Sequence, residues 1–253
     1  MEPIRHIAAS PEELSQIAAT EFVRHAHEAV QAKGIFTVAL SGGSTPRNLY
    51  TRLADEASLR AAIPWDKVHF FWGDERHVPP NHPESNYRMA YEALLCKVPV
   101  PAANVHRIKS EYPNAHQAAN EYEQELHEFF SLEAGQFPRF DLFLLGMGPD
   151  GHTASLFPGT AALHERTRLV VANWVEKFNT YRITLTLPVI NNAAHIIFLV
   201  SGEEKATTLR EVFQSTTQPK RFPVQLVNPT HGTLLWLMDR QAARLLAPSS
   251  EKS

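Results

Sequence analysis

Short apolar runs, each closed by a glycine or a cluster of polar residues, constrain this chain more than any other feature. Ile35–Leu40 (IFTVAL), Val68–Trp72 (VHFFW), Phe140–Leu145 (FDLFLL), Ile196–Val200 (IIFLV) and Thr233–Met238 (TLLWLM) are near-continuous rather than alternating. That pattern suits strands buried on both faces. Leu169–Val175 and Ile183–Leu187 also read as strands, and Val105–Ile108 as a short edge strand. Helical spacing fills the gaps. Ser10-Pro11-Glu12-Glu13 reads as a capping box, with Ser10 as cap, Pro11 at the first helical position and Glu13 reaching back. Leu14, Ile17, Ala18, Phe22, Ala26, Ala29 and Val30 follow at helical intervals, and Gly34 is a fitting stop. Pro46 fits the first position of a second helix, Ser85 caps a third, Asn114–Phe130 is a fourth, and Asp239 caps a closing one. Strand alternating with helix predicts an α/β, Rossmann-like fold: a mostly parallel sheet with helices on both faces. No repeat or long linker interrupts it, so one domain over residues 1–247 is expected, followed by a disordered tail at 248–253.

Composition removes several classes of function. A net charge of -3 provides no footprint for nucleic acid or anionic membrane. The single cysteine, Cys96, can form no internal disulfide and no cysteine-based zinc site. Thirteen histidines invite a metal, yet no H-E-x-x-H pair occurs, and His25 and His27 fall on different sides of a helix, so no metal is expected. Without a signal-like N-terminus or a membrane-length apolar run, a cytoplasmic location is the expectation.

The chemistry sits just beyond the strands. Open α/β sheets bind ligands at the carboxyl ends of their strands. After Leu40 comes Ser41-Gly42-Gly43-Ser44-Thr45-Pro46, where backbone N–H groups, three hydroxyls and a helix N-terminus together suit a phosphate. The alternative is a plain tight turn, and the lysine of a nucleotide P-loop is missing. After Trp72 comes Gly73-Asp74-Glu75-Arg76-His77. Arg76 is placed for an anion or oxyanion and Asp74 for sugar hydroxyls, unless the segment is a solvated loop of local ion pairs. After Leu145 the chain turns through Gly146, Gly148, Pro149 and Gly151 to His152, a natural acid or base near neutral pH. Asp150 either orients His152 or shapes the turn. Lys205, in Ser201-Gly202-Glu203-Glu204-Lys205, opens a helix whose dipole disfavours a cation, which an anionic ligand at the same edge would explain.

Gly146-x-Gly148-x-x-Gly151 also matches the dinucleotide-binding fingerprint. That motif needs a long helix after its last glycine, whereas Pro158-Gly159 ends any helix within about two turns. The first acidic residue beyond is Glu165, so no nicotinamide or flavin cofactor is expected.

Taken together, SGGSTP (41–46), GDER (73–76), SNY (85–87), GMGPDGHTASLFPG (146–159), RITLT (182–186) and SGEEK (201–205) resemble the 6-phosphogluconolactonase family. The motifs run in the family's order over about residues 35–240, and six in order are far more specific than any one. The resemblance implies metal-free hydrolysis of 6-phospho-D-glucono-1,5-lactone, a sugar-phosphate lactone, on a fold shared with glucosamine-6-phosphate deaminases and ribose-5-phosphate isomerase. It implies His152 as base and Ser41, Gly42, Gly43, Ser44, Thr45, Arg182 and Lys205 at or near the phosphate. Asp74 and Arg76 would line the sugar side. It leaves open a monomer or a small homo-oligomer. Two rivals share the fold. Deaminase-like isomerases carry an acidic residue shortly after the histidine, where this chain reads Ser155-Leu156-Phe157-Pro158. Sugar-phosphate-sensing regulators carry a basic DNA-binding segment, which residues 1–34 do not resemble.

Overall fold

The computed structural model describes residues 3–214, 218 and 220–246. The first half of the chain comprises β1 (Ile4–Ala8), α1 (Pro11–Lys33), β2 (Phe36–Leu40), α2 (Ser44–Asp55), α3 (Ala57–Ala62), β3 (Val68–Trp72), β4 (Asp74–Arg76), α4 (Asn86–Ala93), β5 (Val105–His106) and α5 (Ala115–Phe130). The second half comprises β6 (Leu142–Leu145), β7 (Val170–Val175), β8 (Thr180–Leu185), α6 (Leu187–Asn191), β9 (His195–Val200), α7 (Ala206–Gln214), β10 (Thr233–Asp239) and α8 (Arg240–Ala243). The tail expected at 248–253 lies outside the described residues. Among the described residues no helix is long and apolar enough to cross a membrane.

A seven-stranded parallel sheet runs in the order β1-β10-β9-β6-β2-β3-β5. Every residue of β2 and β6 is buried, so both faces of these central strands are covered, as continuous apolar runs require. From β2 the chain steps outward through β3 to β5, then returns to place β6 on the other side of β2. Strand order therefore reverses between β2 and β6, and the crevice that such a reversal opens lies beyond their carboxyl ends.

A second, antiparallel sheet, β4-β8-β7, departs from the purely parallel expectation. The chain passes between the sheets at Gly73, whose N–H donates to Leu40 O (2.9 Å) in one while its carbonyl accepts from Leu185 N (2.9 Å) in the other. β8 begins at Thr180, ahead of the apolar run, so Arg182 lies inside a strand and opposite Arg76. Half-exposed antiparallel strands carry polar residues, and for that reason the run itself stops short. β1 escapes sequence reading in the same way: Ile4 to Ile7 are exposed on an edge strand.

The capping expectations largely hold. Ser10 accepts from Glu13 N (3.2 Å) with Pro11 at the first position, although Glu13 reaches Ala9 N rather than the cap. Gly34 closes α1 in the left-handed region, and Asp239 caps α8. α2 starts at Ser44, two residues before Pro46, which a first turn tolerates because its N–H groups lack helical acceptors. After Gly151 no α-helix forms: a loop leads to a short 3-10 turn at Ala161–His164.

Candidate active site

The three loops expected at the carboxyl edge, with Lys205, do converge there on one pocket. Its walls are Ser41–Pro46 beyond β2, Asp74 and Arg76 of β4, Gly146–Pro149 and His152 beyond β6, and Ser201, Glu204 and Lys205 beyond β9. Two candidates are off the wall: Asp150, which contacts His152, and Arg182. Arg182 is the cross-strand neighbour of Arg76 and is lowered below the usual guanidinium value by burial and then by Arg76.

Backbone geometry sets the β2 wall. Gly43 caps α2 with no side-chain hydrogen bond, so the first N–H groups of the helix, at the pocket-lining Ser44 and Thr45, are left without a side-chain cap. Ser41 is pinned by Tyr50, whose hydroxyl accepts from Ser41 N (3.0 Å) and donates to Ser41 O (2.9 Å). The Ser41 Oγ is buried without a protein partner, which is costly unless a ligand or water supplies one. Gly42 is required by close approach: a Cβ there would fall 1.9 Å from Asn86 Oδ1.

The Asn86 contact reveals what SNY does. Asn86 Nδ2 donates to Asp74 O (2.9 Å) and lies 3.3 Å from Asp74 Oδ1, joining the β2 loop to β4. Asp74 also accepts from Ser155 Oγ at 2.6 Å, so its buried carboxylate is held on two sides. Glu75, unassigned from sequence, points the other way. It accepts from Arg76 N (2.8 Å), Asn86 N (2.7 Å), Tyr87 N (2.8 Å) and Ser85 Oγ (3.0 Å), tethering β4 to the N-terminus of α4. Burial pushes Glu75 up to about 7 against those donors.

The β6 turn is built around His152. Its carbonyl accepts from Gly148 N (2.8 Å), and its ring lies so close over Gly148 that a Cβ there would sit 2.1 Å from Nδ1. Nδ1 meets Asp150 Oδ1, while Asp150 Oδ2 accepts from Lys177 Nζ at 3.2 Å. Burial raises the Asp150 carboxyl, but His152 and Lys177 outweigh it and hold the group well below the usual carboxylate range. Phe157 stacks on the imidazole with centroids 4.1 Å apart. Where the isomerase-type acid would stand, Ser155 is bound to Asp74 and Phe157 to the histidine ring. Lys177 and Phe157 carry no sequence signal of this role.

A histidine–carboxylate pair facing a helix N-terminus and a lysine, at the reversal point of a parallel sheet, defines an α/β protein built to hold a small anionic ligand. More narrowly, residues 9–236 match the family model for glucosamine-6-phosphate isomerases/6-phosphogluconolactonase, and the chain belongs to that family. It is 47% identical over 221 residues to the 6-phosphogluconolactonase of Synechocystis sp., spanning 87% of this chain and 89% of that one. It is 38% identical to the 6-phosphogluconolactonase of Haemophilus influenzae, spanning 83% and 87%. Among solved structures, 6-phosphogluconolactonase from Trypanosoma brucei superposes with a TM-score of 0.85 at 30% identity, covering 97% of this chain and 99% of that one.

Proposed function

We propose that this chain hydrolyses 6-phospho-D-glucono-1,5-lactone to 6-phosphogluconate in the oxidative pentose phosphate pathway, with His152 as general base. The observation that carries the mechanism is the His152–Asp150 contact. A carboxylate held anionic accepts the Nδ1 proton, which leaves Nε2 of the neutral ring as the basic nitrogen. A δ-lactone is an activated ester, so water needs only such a base within hydrogen-bond reach. Nε2 takes a proton from water as its oxygen bonds to C1, and the carbonyl oxygen becomes an oxyanion. Arg76, or an N–H of the glycine turn, stabilises that charge. When the tetrahedral intermediate collapses, the C1–ring-oxygen bond breaks and the imidazolium returns the proton to the leaving oxygen, which becomes the C5 hydroxyl.

The phosphate is assigned to the Ser41–Thr45 loop, the α2 N-terminus and Lys205, with Arg182 reinforcing the positive field beside Arg76. Binding the phosphate away from C1 orients the lactone, a large share of rate enhancement in such reactions. The buried Ser41 Oγ without a protein partner supports a ligand on this wall. No metal or organic cofactor is needed for this chemistry. The near-neutral charge supports a protein acting without nucleic acid or anionic membrane, and a cytoplasmic monomer or small homo-oligomer belongs to the same proposal.

The test is loss of freshly generated 6-phosphogluconolactone above its spontaneous hydrolysis, beside ammonia release from glucosamine 6-phosphate. Fast lactone loss without ammonia release is expected. Ammonia release without lactone loss would overturn the assignment in favour of the deaminase, and activity on neither would favour a sensing role.

A further inference from the structure

We propose that His25, Glu28 and His195 form a site for a divalent transition metal at the end of the sheet opposite the pocket. Their candidate ligand atoms lie within 4.8 Å of one another. His25 is only 3% exposed, and its Nδ1 has no hydrogen-bond partner, an expensive arrangement for a buried polar atom. Glu28, one turn further along α1, places Oε2 3.6 Å from that Nδ1. His195 opens β9 and commits Nδ1 to Thr233 Oγ1 at 2.7 Å, which leaves Nε2 as its ligand atom. Four-coordinate zinc at bond lengths of about 2.0–2.2 Å sets donors roughly 3.3 Å apart, so Glu28 needs little movement, while the His25 and His195 rings, with centroids 4.0 Å apart, must fan apart to point at one ion.

The outer contacts also suit a metal, because ligating histidines usually hold their second nitrogen in a hydrogen bond. Thr233 does this for His195; at His25 Nε2, Glu21 Oε2 stands 3.6 Å away, beyond hydrogen-bond range, and would close in when Arg24 leaves. Arg24 supplies a positive charge beside these groups. It lies 2.9 Å from His25 Nε2 and donates to both oxygens of Glu28. Its side chain is 46% exposed and also pairs with Glu21, so it can release Glu28 and His25 without losing every partner. Two imidazoles and one carboxylate favour zinc or a neighbouring transition ion over magnesium or calcium. The site would clamp α1 to the start of β9, about 20 Å from Ser201 on the pocket wall at roughly 3.3 Å per strand residue.

The experiment is titration of the dialysed full-length chain with Zn²⁺ against a chromophoric chelator, repeated with Glu28→Gln and His195→Gln. Neither substituted residue is fully buried, and far-UV circular dichroism checks that both variants fold. One equivalent of bound Zn²⁺ is expected, weakened about tenfold or more by each substitution. Thermal scans should show a Zn²⁺-dependent rise in Tm in the wild type that shrinks in both variants. Absence of stoichiometric binding, or binding unchanged in both folded variants, would overturn the proposal; the latter would assign the ion to others of the thirteen histidines.

Discussion

The segments that follow β3 and β6 each carry a carboxylate, Glu75 fully buried in β4 and Asp150 half-buried in a turn, and the two behave in opposite ways. Asp150 faces His152 and Lys177, and stays ionised despite burial. Glu75 meets only neutral donors, has Asp74 as its neighbour, and is pushed up to about 7. The contrast separates two uses of an acid. A cation partner that can gain and lose a proton makes Asp150 part of a chemical unit. Backbone N–H groups of a helix end make Glu75 a tether that sets where Asp74 and Arg76 stand.

Breaking the chemical unit should cost the most. His152→Ala is expected to lower kcat by roughly two orders of magnitude or more, the usual scale for a general base, with KM little changed. Asp150→Asn keeps the side chain's shape, but an amide can donate to Nδ1 and drive the imidazole proton to Nε2. A fall in kcat on the order of tenfold or more is expected, smaller than for His152→Ala. Wild-type kcat in Asp150→Asn would mean that the carboxylate only shapes the turn. Lys205→Ala tests the other side of the pocket. Loss of a charge-assisted bond to phosphate should raise KM about tenfold while kcat stays near wild type. An effect on kcat alone would move Lys205 from binding to the reacting centre.

The same contrast explains what was legible in the sequence. The central strands show as apolar runs because both their faces are buried, and the pocket's chemistry shows because it is concentrated in contiguous motifs just past those strands. His152, Asp150 and the Ser41–Thr45 loop were therefore visible as residues. What they touch was not. Glu75 reads as one charge in a polar run until folding brings Ser85, Asn86 and Tyr87 onto its oxygens. Ser155 is informative in sequence only as a missing carboxylate, yet in the fold it holds Asp74. Lys177 sits in a hairpin turn with no pattern around it, and only the packing of β7 and β8 against the β6 turn brings it to Asp150. Periodicity failed for one reason at β1 and at Thr180–Arg182: strands half open to water carry polar side chains that dilute an apolar signal.

The smallest effect on turnover should come from Glu75→Gln, and its value lies in the pH dependence of stability. An unfolded glutamate ionises near 4.5, while Glu75 in the fold is raised to about 7. Between those values the folded chain keeps a proton that the unfolded chain has released, so stability falls as pH rises through the window. The stabilising contribution is complete below about pH 4.5 and lost above about pH 7, a span of roughly 3 kcal/mol at about 1.4 kcal/mol per pH unit. Asp150 has the opposite sign. Its folded value is depressed, so its contribution is present above its unfolded value of 3.8 and fades only in stronger acid. Urea unfolding of wild type and Glu75→Gln at several pH values isolates the Glu75 term, because every other titrating group is common to both chains. The stability difference, wild type minus variant, should decline from pH 4.5 to 7 and then level off. Parallel curves across that window would show that the three N–H donors and Ser85 hold Glu75 ionised, which would erase the contrast with Asp150 and leave both carboxylates as charged anchors.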